Sequence, residues 1–157
     1  MTPEEDFTIG LDEALSWLNQ DRHAVVGEFD VERGYFWTAC AAVQNGNPLY
    51  WDDHLAATLT GGPVAPLTLL SAWFRPHYWM PGRERIPQPW QTHFDLKETL
   101  ALPEAVATDS EVAFGEPIRP GDRIHCSETL RSLSEVKTTK LGRGRFWVID
   151  CVCRNEH

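Results

Sequence analysis

Apolar residues recur with a period near 3.6 in the first half of this chain and near 2 in the second. That change divides the elements it predicts. Leu11, Ala14, Leu15 and Leu18 stand at i, i+3, i+4 and i+7, one face of an amphipathic helix, with Asp12 and Glu13 favourably placed in its first turn. Val25 to Phe29 reads as a short strand or an extended entry to the next helix. Asp30 is placed to cap a second helix whose apolar face is Phe36, Ala39, Cys40 and Val43, ended by Asn45-Gly46. Asn47 and Pro48 suit the cap and first position of another helical turn, and Asp52 can cap one more through Leu55 and Ala56 until Gly61-Gly62-Pro63 breaks it. Pro66 to Phe74 has only Thr68 and Ser71 as polar residues, so it predicts a helix buried on every side, stopped by Pro76.

Four prolines between Arg75 and Trp90 make a stiff, aromatic-bearing loop. Beyond it, alternation at His93, Asp95 and Lys97 predicts a half-buried strand, and Val112 with Phe114 marks another. Arg119-Pro120-Gly121-Asp122 has the residues of a type II turn. Ile124 to Leu133 reads as a long strand, bent or bulged at Glu128. Gly142-Arg143-Gly144 then turns the chain into Phe146 to Arg154, apolar on both faces and so expected to be a central, covered strand. The class is α+β: helices first, then an antiparallel sheet wrapped around one buried helix.

Length and composition agree with a single globular domain over residues 1–157. The chain is 42% hydrophobic and 24% charged, which argues against wholesale disorder. A net charge of −9 disfavours duplex nucleic acid, yet leaves room for a local basic cluster that receives an anion. Cys40, Cys126, Cys151 and Cys153 lack metal-ligand spacing and read as reduced thiols. No metal is assigned. An acidic N-terminus without an apolar core and the lack of a membrane-length apolar run complete the expectation of a cytoplasmic protein with no membrane contact.

Three motifs carry a resemblance: Asn45-Gly46-Asn47-Pro48-Leu49-Tyr50-Trp51-Asp52, Gly61-Gly62-Pro63-Val64-Ala65-Pro66 and Arg119-Pro120-Gly121-Asp122. Together they resemble the MaoC-like dehydratase family, in its N-terminal, FAS1-like type, from about Gly34 to Asn155. Trp73-Phe74-Arg75-Pro76-His77, His93 to Lys97 and Thr138 to Trp147 are similar to the larger subunits of bacterial steroid side-chain enoyl-CoA hydratases. The resemblance implies a hotdog fold with the Pro66–Phe74 helix at its centre. It also implies pairing with a smaller, catalytic hotdog subunit, as a heterodimer that doubles to a heterotetramer. Relatives of that kind often continue into a zinc- and OB-like domain, through which a thiolase or aldolase could dock. A longer native chain, with a closing strand after His157, is therefore expected.

Hydration of an α,β-unsaturated thioester needs a base for water, an acid for Cα and donors for the thioester oxyanion. In the family those proton-transfer groups are an Asp and a His in a Gly-Asp-x-Asn-Pro-x-His pattern. Here Asn45 stands at the acid position and Tyr50 at the histidine. An amide takes up no proton from water, and a phenol with a pKa of about 10 is a poor base at neutral pH. No catalytic residue is assigned to this chain.

The expected role is to shape the acyl-CoA site, the substrate itself carrying coenzyme A, so that no separate cofactor is required. Asn45, Asn47 and Tyr50 would form its rim. Gly62 and the backbone after it would donate N–H groups to the thioester. Trp73 and Trp79, with Phe74, Tyr78 and Trp90, would line a bulky acyl group. Lys140, Arg143 and Arg145, with Lys137, would meet the CoA phosphates. Two other readings stay open: a non-enzymatic acyl-CoA-binding or thiolase-docking module, and a homodimeric hotdog thioesterase or hydratase using Asp52 or His54.

Overall fold

A computed structural model describes residues 7–84, 90–102 and 104–155. The elements run α1 (Leu11–Ser16), β1 (Asp21–Val26), α2 (Arg33–Ala42), α3 (Pro48–Trp51) and α4 (Asp53–Thr60), then a 3-10 turn (Leu67–Leu69) and α5 (Leu70–Phe74). There follow α6 (Gln91–Thr99), β2 (Ile124–Leu133), β3 (Lys137–Thr139), β4 (Gly142–Gly144) and β5 (Trp147–Asn155). β1, β2 and β5 form a sheet in that order, and β3 and β4 an antiparallel hairpin. Among the described residues no helix is long and apolar enough to cross a membrane.

The chain packs as two compact units. The first takes Met1–Ala24, Pro87–Ser110 and Cys126–Val152. Its core is Ala14, Trp17, Leu96, Leu100 and Leu130. The strand expected around His93 to Lys97 is the helix α6 instead. Thr92, Leu96 and Leu100 are buried at steps of four, and the backbone N–H groups of Gln91 and Thr92 donate to the two carboxylate oxygens of the buried Glu128, at 3.0 and 2.8 Å. A carboxylate on two unpaired N–H groups at a helix start is a favourable charge placement. Glu128 therefore continues the buried face of β2 (Ile124, Cys126, Glu128, Leu130) rather than breaking it.

The second unit takes Val25–Ile86, Glu111–His125 and Cys153–His157. Val31, Phe36, Ala65, Trp73, Ile118 and Ile124 are its buried core. Local chemistry acts as expected in three places. Asn47 Oδ1 accepts from Leu49 N at 3.0 Å to start α3. Asp52 Oδ1 accepts from His54 N and Leu55 N to start α4, which Gly61 ends at φ 73. The turn at Arg119–Asp122 closes through Asp122 N to Arg119 O at 3.0 Å, with Gly121 at φ 94.

Elsewhere the structure corrects the sequence reading. β1 begins at Asp21, earlier than the strand expected from Val25. Glu32, not Asp30, precedes α2, because Asp30 binds Arg123 Nε at 2.5 Å. Gln44, at φ 55, takes the left-handed position after α2 that Asn45-Gly46 was expected to fill. No strand runs through Val112 and Phe114, which are exposed. β5 is an outer strand of its sheet, and none of its residues is fully buried. Apolar character on both faces does not by itself say that both faces are covered. Cys126 and Cys153 are disulfide-bonded, whereas Cys40 and Cys151 are free.

The segment expected to be a helix buried on every side is a 3-10 turn joined to a five-residue α-helix. In it Pro66 and Trp73 are buried; Leu67, Leu69, Leu70 and Phe74 are half-buried and Thr68 is exposed. Its backbone is met by that of Gly27, where a Cβ would stand 2.0 Å from the Trp73 carbonyl oxygen.

Candidate functional site

The turn between α2 and α4 is built by its own short side chains. Asn45 N donates to Cys40 O at 2.8 Å, and Asn45 Oδ1 accepts from Asn47 N at 3.2 Å. Asn45 O in turn accepts the indole N–H of Trp51 at 2.8 Å. Trp51 stacks on Trp37, with centroids 5.8 Å apart and planes 6° from parallel, and the Trp37 indole donates to Tyr50 O at 2.7 Å. The Arg33 guanidinium lies 4.3 Å over Trp37 and forks onto the Asp53 carboxylate. That fork holds the Asp53 carboxyl below its ordinary range. The rim is thus a fixed scaffold with an aromatic stack on its flank.

Its chemistry is poor in bases. The Asn45 and Asn47 side-chain oxygens accept from backbone N–H groups and so serve as turn formers. Tyr50 packs on the core, and burial, then the neighbouring Cys40, pushes its phenol up from 10, away from any use as a base near neutrality. Asp52 is occupied as a helix cap, while His54 is exposed.

Behind the rim, Thr60 Oγ1 donates towards both Ala56 O and Gly62 O at 2.7 Å. Arg119 donates to Thr60 O at 2.5 Å and to Pro63 O at 3.4 Å. Gly62 N donates to Ala56 O at 3.3 Å, so its N–H is already engaged, and the next helical turn begins only at Leu67. The Gly62 N–H expected to meet a thioester is thus spent on the end of α4.

Two clusters in this unit join residues that lie far apart in the chain. Trp73 is 0% exposed and packs edge-on against Tyr35 and Phe29, at 5.1 and 5.9 Å. Its indole N–H has no acceptor among the described residues. Trp73 is thus core rather than an open tunnel wall, whereas Trp79 is 76% exposed. Beside it, Glu28 Oε2 accepts from both the backbone N–H and the ring Nδ1 of His77, at 3.0 and 2.5 Å, and Glu28 Oε1 pairs with Arg83. His77, then Arg83, pulls the Glu28 carboxyl from 4.5 to about 2, against a smaller opposing effect of burial. These partners lie 49 and 55 residues from Glu28, beyond any local pattern.

In the first unit, Asp95 accepts from His23 Nε2 at 2.7 Å, Arg22 at 3.0 Å and Gln91 at 2.8 Å. Burial raises its carboxyl, yet those three donors outweigh it and the net shift is downward. His23 sits at φ 48, an uncommon conformation for a non-glycine residue. On α6, burial lowers His93, whose Nδ1 accepts the Trp147 indole N–H at 3.3 Å.

The basic residues expected to meet CoA phosphates are also in the first unit, and they divide. Lys137, Lys140 and Arg143 are exposed on the β3–β4 hairpin, with Arg143 4.9 Å from the Phe7 ring. Arg145 is only 5% exposed at its side chain and donates to Ser134 O and Phe7 O at 2.7 and 2.9 Å. It is a structural clamp on two carbonyls and is not free to hold a phosphate.

Comparison with known proteins places these observations. The family described as "FAS1-like, dehydratase domain region" matches residues 24–157. A relative from Thermomonospora curvata named "Probable enoyl-CoA hydratase alpha subunit" is 36% identical over 113 residues, covering 67% of this chain and 34% of that protein. This chain therefore spans about a third of the length of that relative. The crystal structure of the ChsH1-ChsH2 complex from Mycobacterium tuberculosis contains a chain that superposes with a TM-score of 0.73 at 23% identity. The superposition covers 93% of this chain and 83% of that one, and shows a shared fold. On the match across residues 24–157, this chain belongs to the FAS1-like dehydratase domain family.

Proposed function

We propose that this chain is the hotdog subunit of a heteromeric enoyl-CoA hydratase, shaping the acyl-CoA site while a smaller hotdog partner supplies the Asp/His dyad. The observation that carries this reading is the rim. Its scaffold is intact, but Asn45 and Asn47 accept from backbone N–H groups, and burial raises the Tyr50 phenol. A built rim whose Asn45 and Tyr50 positions carry no base near neutrality suits a binding role. The "enoyl-CoA hydratase alpha subunit" name of a relative and the two-component complex among fold relatives support the same assignment.

In this reading the substrate brings coenzyme A and the complex needs no other cofactor. Exposed Lys140 and Arg143 offer charge for its phosphates. The acyl group is bulky, of the ring-bearing steroid side-chain class, and exposed aromatics such as Trp79 receive it. One hotdog domain pairs with the partner, and two such pairs form a heterotetramer, within a longer native protein that can also dock a thiolase.

The test is hydration of a ring-bearing enoyl-CoA by the native protein alone and with its small hotdog partner. Activity should require both chains and fall to background when the partner's dyad is removed. Full activity from this chain alone would overturn the assignment.

A further inference from the structure

The β3–β4 hairpin and the residue that follows it hold Phe7 by two separate contacts. Arg145, 5% exposed at its side chain, donates to Phe7 O at 2.9 Å, and the Arg143 guanidinium stands 4.9 Å from the Phe7 ring. The register pairs Arg143 with Thr138 and Lys137 with Gly144, which puts Arg143 and Lys137 on opposite faces of the hairpin. Lys137 lies 5.5 Å from the Phe146 ring, and Lys140 is exposed at the turn. Phe7 is thus fixed beside Arg143 by both its backbone and its ring.

Three carboxylates come directly before that anchor in the chain: Glu4, Glu5 and Asp6. Asp6 is one residue from the clamped carbonyl and Glu4 is three, so chain length alone keeps the Glu4 Cα within about 11 Å of that of Phe7. Exposed charges attract across a Debye length, about 8 Å at physiological ionic strength. The tether also holds these acids at a high effective concentration beside Arg143 and Lys140. Opposite charge and a short tether together favour this segment over any acid arriving from solution.

Resting on the assignment of CoA phosphates to Lys140 and Arg143, we propose that Glu4, Glu5 and Asp6 compete with those phosphates for the same two side chains. The segment is a tethered stand-in for a polyanion, and the phosphates must displace it before they bind. The competition is electrostatic, so it weakens the hairpin's hold on anions at low salt and fades as salt rises. It takes no part in the bond-making step.

The experiment compares the native protein, in the assembly in which it purifies, with a variant neutralised at constant length: Glu4→Gln, Glu5→Gln and Asp6→Asn. Inorganic tripolyphosphate and free coenzyme A are titrated into each by calorimetry at low salt and neutral pH. The variant should bind both about five-fold tighter than the parent, the size that a few exposed ion pairs supply. At 1 M salt, where the Debye length is about 3 Å, the difference should disappear. Arg143→Gln with Lys140→Gln should abolish it at low salt, whereas Lys137→Gln, on the other face, should keep it. Removing the same charge from exposed carboxylates elsewhere in the sequence, by Glu104→Gln, Asp109→Asn and Glu111→Gln, should leave both affinities near the parent's. Equal tripolyphosphate affinities for parent and variant, no binding by either, or an equal gain from the second set would overturn the inference. Coenzyme A bound by neither form, beside the expected difference with tripolyphosphate, would support the competition and count against the proposed function alone.

Discussion

The indole N–H of Trp51 donates to the Asn45 carbonyl at 2.8 Å, so the last residue of α3 closes the turn that precedes it. The rim does not rely on glycine alone for its shape. Trp51→Phe keeps the stack on Trp37 and deletes this one bond. A loss of about 1 kcal/mol in unfolding free energy is expected, read from the urea midpoint at unchanged slope.

Asp52 separates capping from catalysis. Asn caps helices as well as Asp does, so Asp52→Asn should leave stability nearly unchanged, whereas Asp52→Ala should lose about 1 kcal/mol. Hydration by the partnered complex should survive Asp52→Asn and His54→Ala alike. A collapse of kcat in Asp52→Asn, with its melting temperature intact, would support the self-sufficient enzyme instead.

Gly27 cannot carry a side chain. Its N–H donates to Ile124 O at 2.8 Å and its carbonyl accepts from Arg123 at 3.0 Å, so the backbone has little room to retreat. A Cβ would overlap the Trp73 carbonyl. Gly27→Ala should destabilise by about 3 kcal/mol, visible as a fall in thermal midpoint and altered near-ultraviolet circular dichroism from Trp73.

Acid sensitivity should report Glu28. Its folded pKa is lowered to about 2 from an ordinary 4.5, so the ionised form is favoured in the folded state. The stabilisation is present above 4.5 and is lost as pH falls towards 2. Urea midpoints measured across that window should fall less steeply for Glu28→Gln than for the parent. Parallel curves would show that the His77 and Arg83 contacts contribute nothing to folding.

What the sequence by itself determined is short-range: a cap, a turn or a helix stop is complete within a few residues. Asn47-Pro48, Asp52, Gly61 and Arg119–Asp122 therefore fold as their chemistry dictates. The strand expected at His93 to Lys97 failed because steps of two and of four coincide over so short a window. Thr92, Leu96 and Leu100 distinguish them only once burial is known. That Asn45 and Tyr50 stand where the family pattern has Asp and His was legible, since it needs only residue types at a known spacing. Burial and partnership were decided by the tertiary structure. Trp73 is core and Arg145 a carbonyl clamp because packing, not composition, removes their polar atoms from water. His77 gained its carboxylate partner only when folding brought Glu28 against it from 49 residues away.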